Sequence, residues 1–156
     1  MTLSILVASA LVLTLTLVAV LPRVFLARAQ DRLARRLLEA EGGRFQLLTR
    51  AEMSAGKHRR IPGVLGLAQE TLVFESLFGE TTVLPTSRIQ KIVTGRRLAS
   101  GRRLLRLEVL RLTRSSGDEL EFVLSPASAG AWRSHMGLWA VQERKAAMDT
   151  VTPGRS

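Results

Sequence analysis

The uncharged stretch at residues 3–21 restricts the structure of this chain more than any other feature. It reads LSILVASALVLTLTLVAVL and contains no charged side chain. At about 1.5 Å per residue, a helix of this length nearly matches the roughly 30 Å hydrocarbon core of a bilayer. Its polar groups are hydroxyls, which can bond to carbonyls of their own helix. We therefore predict a single transmembrane helix over residues 1–22.

The charges around this stretch predict its orientation. No basic side chain precedes it, whereas a group of arginines follows closely: Arg23, Arg28, Arg32, Arg35 and Arg36. The positive-inside rule then places the N-terminus outside and the remaining chain on the cytoplasmic side of the inner membrane. A cleaved signal peptide is the alternative, with Ala27-Arg28-Ala29 as the cleavage motif. Against it, the basic n-region is missing and the apolar run is longer than is typical.

Residues 23–43 have the composition of a basic helix followed by a stop. Their leucines can share one face of a helix, and they are Leu26, Leu33, Leu37 and Leu38. Pro22 favours a kink at the junction, and Gly42-Gly43 favours termination. Two roles stay open for this segment. It could lie on anionic lipid, or it could continue the membrane helix as a spacer or self-association surface.

Residues 44–148 change to a hydrophobic period of two, which marks a separate domain. Short apolar runs with turn residues between them predict a mainly β fold, a sandwich or a partly open barrel. We predict seven strands: residues 45–48, 64–68, 71–76, 81–84, 89–93, 104–113 and 119–124. The remaining residues, 149–156, show no pattern and predict a disordered tail.

The clearest hairpin covers residues 104–124, with its turn at 115–118. In the second strand Glu119 and Glu121 alternate with apolar residues, which predicts that both carboxylates face outward. A slip in the alternation at Val109-Leu110 predicts a β-bulge.

A helix is predicted after the last strand. Ser125-Pro126 suits an N-cap and a first helical position. A packing face could then be supplied by Trp132, Met136, Leu138 or Trp139, and Val141, and the helix could close the open end of the strand assembly.

Two segments, GVLGLAQETLVFES (63–76) and TTVLPTSRIQKIV (81–93), carry a family resemblance. Together they resemble the pleckstrin-homology (PH)-like superfold, especially its bacterial PH and GRAM-type branches. GVLGLAQETLVFES (63–76) is similar to the family's G-x-L-x-L-T-x-x-x-L-x-F hairpin, with Ala68 where Thr is common. TTVLPTSRIQKIV (81–93) looks like its strand followed by Ile-Pro, here Leu84-Pro85. The resemblance implies a seven-stranded, partly open barrel capped by a C-terminal helix. It also implies a binding module for phosphoinositides, other lipids or peptides rather than an enzyme.

Groups that could support catalysis are scarce. The sequence has no cysteine and two histidines, His58 and His135. No metal-binding spacing occurs, and Gly95-Arg96-Arg97 does not continue into a phosphate-binding loop. Ser134 and His135 are adjacent, so on a helix they diverge by about 100°. We therefore predict no catalytic residue, no metal, no cofactor and no small-molecule substrate.

The formal net charge of +10 favours anionic partners. Two basic clusters are candidates for lipid binding: Lys57, Arg59 and Arg60 before the second strand, and Arg96, Arg97, Arg102 and Arg103. In the PH-like family the loop between the first two strands carries headgroup ligands, which implies that role for the first cluster. Specific headgroup binding, nonspecific attraction to the inner leaflet and simple solvation all stay open.

Other partners follow from the same composition. Nucleic acid is not expected, because five Phe, two Trp and no Tyr leave few rings for base stacking. The sequence favours a membrane-anchored binding module in a bacterium, with anionic lipid or another membrane protein as its partner. The alternative is a structural or assembly factor that acts through helix association and protein contacts.

Overall fold

The structure, a computed structural model, describes residues 2–40, 42–56 and 59–136. Up to residue 19 it describes the backbone, together with the side chains of Thr14, Thr16 and Val18. Lys57, His58 and the predicted tail at 149–156 lie outside the described residues, and so do residues 137–148, over which the C-terminal helix was predicted to extend.

A single helix, α1 (Thr2–Ala40), combines the two segments predicted before the domain. It continues through Pro22 and ends beside the predicted glycine pair. Gly42 and Gly43 have φ angles of +57° and +80°, a conformation that glycine adopts without steric cost. The Gly43 amide donates to the Leu38 carbonyl at 3.3 Å and so satisfies one carbonyl of the last turn.

No helix is both long enough and apolar enough to qualify as a membrane span among the residues whose side chains are described. The span predicted over residues 1–22 falls mostly on side chains outside that description.

In the described part of the chain, seven antiparallel strands form one sheet, as predicted. They are β1 (Phe45–Ala55), β2 (Arg59–Ala68), β3 (Thr71–Ser76), β4 (Thr81–Pro85), β5 (Ile89–Gly95), β6 (Glu108–Arg114) and β7 (Glu119–Leu124). The strand order is β4-β3-β2-β1-β7-β6-β5. A short 3₁₀ turn (Thr86–Arg88) connects the two edge strands, β4 and β5.

The core lies on one face of this sheet, and a C-terminal helix, α2 (residues 126–136), packs against it. Ser125 caps α2 as predicted, since its Oγ accepts from the Ser128 amide at 3.1 Å. Trp132 and Met136 are buried, as predicted for the packing face. The Trp132 indole Nε1 donates to Thr49 Oγ1 at 2.9 Å, which joins α2 to β1.

Gly63, the first residue of the family-like motif, is required by close packing. A Cβ atom there would lie 2.3 Å from the Glu75 carbonyl oxygen and 2.7 Å from the Phe74 ring. Both distances are far below van der Waals contact, so a side chain would push β2 and β3 apart.

The predicted bulge at Val109-Leu110 is wrong. Both residues keep continuous pairing with β5 and with β7, and the register shift next to β6 lies between Ile89 and Lys91. The alternation slips because the strand begins only at Glu108. Residues 104–107 precede it as irregular chain.

The first two strands are longer than predicted. β1 extends to Ala55 and β2 begins at Arg59, so Arg59 and Arg60 belong to a strand rather than to a loop. Their register pairs them with Ala55 and Ser54. The pairing with β1 therefore holds this stretch in a strand, although its polar side chains resemble those of a loop.

Candidate functional site

Two structures cover the face of the sheet that lies opposite the core. In β1 and β7 the side chains that alternate with core residues point to this outer face, and they include Arg50 and Val123. α1 contacts the outer face through an ion pair between its Asp31 and Arg50 of β1. A segment between β5 and β6 packs on Val123. The candidate site lies on this segment.

Residues 96–104 form a small hydrogen-bonded hairpin, here called the basic hairpin. Arg97 bridges to Arg103, and the Leu104 amide donates to the Arg96 carbonyl at 2.8 Å. Gly101, with φ +83°, closes the turn. The hairpin thus brings all four arginines of the second predicted cluster together.

Apolar contacts hold the basic hairpin on the sheet. Leu98 and Leu104 are buried and pack in a second apolar cluster with Val109 and Val123. The arginines remain exposed. None of their guanidinium groups has a hydrogen-bond or ion-pair partner within the described ranges.

A buried carboxylate under the basic hairpin adds polar contacts to the apolar ones that hold it on the sheet. Glu121 Oε1 accepts from the Ala99 amide at 2.8 Å and from Arg111 Nε and Nη2 at 2.9 and 2.7 Å. Arg111 Nη2 also donates to the Arg97 carbonyl at 3.3 Å. The β6–β7 ladder and the hairpin backbone are therefore joined through one ion pair.

Glu121 alternates with the core residues of β7, as predicted, and yet its residue exposure is only 7%. It does point away from the core, but the basic hairpin folds over it. Glu119, two residues earlier, is the more exposed carboxylate, as predicted for both. The sequence held one signal for the pair: Arg111 and Glu121 are cross-strand neighbours on either side of the predicted turn.

The described members of the first basic cluster, Arg59 and Arg60, lie at the end of the sheet that is nearest the tip of the basic hairpin. A pocket of about 330 Å³ is lined by Ser54, Gly56, Ala99, Ser100, Glu119 and Glu121, and so joins the end of β1 to the hairpin tip. Arg59 is exposed at this end. Arg60 is half-buried and its Nη1 is 3.2 Å from Glu52 Oε2, so a carboxylate already compensates its charge.

α1 is clamped to the outer face by polar contacts. Gln30 is buried, and its Nε2 donates to the carbonyls of Ala51 and Gly63 at 3.1 and 2.9 Å. Next to it, Asp31 accepts two hydrogen bonds from Arg50, at 2.6 and 2.5 Å. This contact had no counterpart in the sequence-based predictions.

The leucine face of α1 agrees in part with its prediction. Leu26, Leu33 and Leu37 are half-buried, whereas Leu38 is 43% exposed. The helix thus packs on the sheet with a mixed face of leucines and Gln30.

Side chains suited to bond-making chemistry are dispersed in the described part of the chain. No three His, Asp or Glu residues there converge as a metal site would require. The His135 ring contacts Gln46 Oε1 at 3.0 Å.

The exposed arginines of the basic hairpin can attract anions and donate hydrogen bonds to them, because each guanidinium offers a planar donor fork.

Comparisons with known proteins add information on the fold. No protein-family model matches the chain, and no curated protein matches it. A solved structure does: the crystal structure of the C-terminal domain of an unknown protein from Leishmania infantum. It has a TM-score of 0.52 and 13% identity, covering 68% of this chain and 94% of that chain. At this identity the likeness shows the fold alone, a seven-stranded antiparallel sheet with a C-terminal helix.

Proposed function

We propose that this protein is a membrane-anchored, non-catalytic module of the PH-like type that docks on anionic lipid at the cytoplasmic face. The observation that carries the proposal is the basic hairpin, where Arg96, Arg97, Arg102 and Arg103 are exposed without an acidic partner in the described ranges. Each arginine near an anionic leaflet contributes about 1 kcal/mol. Guanidinium also pairs with phosphate through two parallel hydrogen bonds.

The arrangement of the hairpin arginines supports this assignment. Four arginines elsewhere are in ion pairs with carboxylates, and they are Arg50, Arg60, Arg111 and Arg133. Other exposed arginines, such as Arg44 and Arg88, are unpaired within the described ranges as well, but the hairpin is distinguished by gathering four arginines on one short turn.

Exposed apolar side chains on α1 support the anchor. Val18, Val20 and Phe25 are 66%, 48% and 64% exposed. Val18 and Val20 belong to the uncharged stretch at residues 3–21, whose length suits a bilayer, and Phe25 follows it after Arg23. Lipid around this part of the helix would remove its apolar surface from water, a favourable transfer of about 25 cal/mol per Å².

The docking test uses residues 23–156. This truncation keeps the described contacts between α1 and the sheet, because Leu26 is the first half-buried residue among the α1 side chains that the structure describes. We expect the fragment to float with vesicles that contain phosphatidylglycerol and not with pure phosphatidylcholine vesicles. Raising the salt concentration should release it, since screening weakens exposed charges.

A matched pair of variants tests the site. Arg97, Arg102 and Arg103 replaced by Gln should weaken partitioning about 100-fold, from about 1 kcal/mol per arginine. Arg44, Arg88 and Lys91 replaced by Gln remove the same charge from exposed positions outside the hairpin. They should have a much smaller effect. Equal losses would mean that net charge alone drives binding, and flotation with neutral vesicles would contradict anionic recognition.

Sidedness has a separate test. A C-terminal epitope on the full chain should resist protease added to intact cells and become sensitive after lysis. Digestion in intact cells would contradict the cytoplasmic location.

A protein partner is the second candidate function, favoured by one observation. Phe78 and Val83 are 74% and 59% exposed, in the β3–β4 turn and on the edge strand β4. Unpaired edges and exposed rings are suited to protein contacts. Crosslinking and pull-down of a stoichiometric partner that survives high salt and is lost in Phe78→Ser would favour an assembly role.

A further inference from the structure

The path of α1 relative to β1 can be read from their contacts. The chain reverses at Gly42-Gly43, and Gln30 and Asp31 then lie beside Ala51 and Arg50. α1 therefore runs in the opposite direction to β1. The described side chains of α1 before Leu26 are all exposed, so this part of the helix extends away from the sheet in the direction in which β1 ends.

Element lengths place the end of the uncharged stretch level with the end of β1. From Gln30 back to Leu21 the helix rises about 13.5 Å, at about 1.5 Å per residue. From Ala51 to Ala55 the strand advances about 13 Å, at about 3.3 Å per residue. A bilayer that holds residues 3–21 would thus begin near the level of Ala55.

The basic surface lies at this same end of the sheet. Arg59 pairs with Ala55, and the hairpin tip at Ala99 and Ser100 shares a pocket with Ser54 and Gly56. The opposite end of the ladder, the β2–β3 turn at Glu70, is about 30 Å away, since β2 has ten residues at about 3.3 Å each.

We infer that the end of β1 and the tip of the basic hairpin form the surface that contacts the headgroups of the bilayer holding α1. Gln30 and Asp31 are the positioning residues that keep this surface in place. The inference rests on the proposed anchoring and adds an orientation to it. α1 is one continuous helix from Thr2 to Ala40, so no linker within it separates the bilayer from the clamp.

A clamped helix and a flexible tether predict different behaviour in neutral lipid. With a flexible tether, the arginines reach the bilayer only when anionic lipid attracts them. With the clamp, the helix itself holds the hairpin tip at headgroup level, and anionic lipid only strengthens the contact.

The test uses the full chain, which has no cysteine, so one label can be placed at a time. Ser100→Cys reports the hairpin tip, Glu70→Cys the distant turn and Val18→Cys the anchor; all three native residues are exposed. Each variant carries an environment-sensitive fluorophore and is reconstituted in phosphatidylcholine, with and without phosphatidylglycerol. Quenchers attached to lipid headgroups and to acyl chains measure the depth of each label.

We expect strong headgroup quenching at position 100 in both lipids, at least severalfold above that at position 70. Position 18 should be quenched from the acyl chains. Quenching at position 100 that requires phosphatidylglycerol would support a flexible tether and overturn the inference. Equal quenching at positions 70 and 100 would overturn it as well. If position 18 escapes acyl-chain quenching, the anchor fails and the proposed function fails with it.

A second comparison tests the clamp. Gln30→Ala with Asp31→Ala in the Ser100→Cys background removes the polar contacts of α1 to β1 and β2 without touching the hairpin. We expect quenching at position 100 in neutral lipid to fall to the level seen at position 70, while an unchanged near-ultraviolet spectrum shows that the domain remains folded. Unchanged quenching would show that Gln30 and Asp31 do not position the surface.

Discussion

Arginines on the outer face of the sheet occur in two different environments. Arg111, on β6, is largely covered, and its guanidinium donates twice to the buried carboxylate of Glu121. Directly above it, Arg97 and its neighbours in the basic hairpin are exposed and have no acidic partner among the described residues. The first environment stabilises the fold and the second leaves charge for a ligand. Net charge alone does not distinguish them, because the difference depends on where each carboxylate lies.

The largest loss of stability is expected when the buried ion pair between Arg111 and Glu121 is broken. Glu121→Ala should lower the free energy of unfolding of residues 23–156 by about 2 kcal/mol, since it leaves the Arg111 guanidinium and the Ala99 amide without their acceptor. Urea denaturation measures the change. Glu119→Ala is the control, because that side chain is 45% exposed and lies 3.5 Å from Arg111. It should cost about 0.5 kcal/mol or less. Equal losses of unfolding free energy in the two variants would contradict the conclusion that Glu121 is the main acceptor under the hairpin.

Adjacent residues at the start of β2 provide an intermediate test. Arg60→Gln removes a half-buried ion pair with Glu52 and should cost about 1 kcal/mol of stability. Arg59→Gln, at an exposed position, should cost less than about 0.5 kcal/mol. In vesicle flotation the order should reverse, with Arg59→Gln weakening binding more. The same order in both assays would argue against separate structural and binding roles.

The smallest stability effect is expected for the exposed arginines themselves. The combined Arg97, Arg102 and Arg103 to Gln variant should unfold within about 0.5 kcal/mol of the parent, because these guanidinium groups form no described contact. Its lipid binding should nevertheless fall sharply. A large loss of stability would show that the hairpin arginines support the fold, and the binding result could then no longer be assigned to the site.

Predictions from local pattern succeeded where one face of an element is buried. Two strands, β3 and β7, have the predicted bounds, because apolar residues alternate with polar ones in both. Ser125 forms the predicted cap, since its hydroxyl needs only the amide three residues later. The bulge at Val109-Leu110 was inferred from alternation that extended beyond the true strand. Local pattern could not reveal that Leu104 belongs to a different hairpin.

The candidate site was predictable in composition and not in arrangement. The sequence grouped Arg96, Arg97, Arg102 and Arg103 as one basic cluster, and the structure joins them in the basic hairpin. That the first cluster lies next to its tip, and that Arg60 is paired with Glu52, depends on strand pairing between distant residues. Gln30 looked like an unremarkable polar residue in a basic helix. Its two acceptors are carbonyls 21 and 33 residues away.

By itself, the sequence determined the helical N-terminal region and its glycine stop, the number of strands, and the concentration of arginine in two clusters. These features follow from periodicity, side-chain volume and charge within a few neighbouring residues. Only the tertiary structure decided that α1 lies on the sheet, that the basic hairpin folds over Glu121, and which arginines lack a partner. The burial of a polar group depends on hydrogen-bond partners that the chain brings together only when it folds.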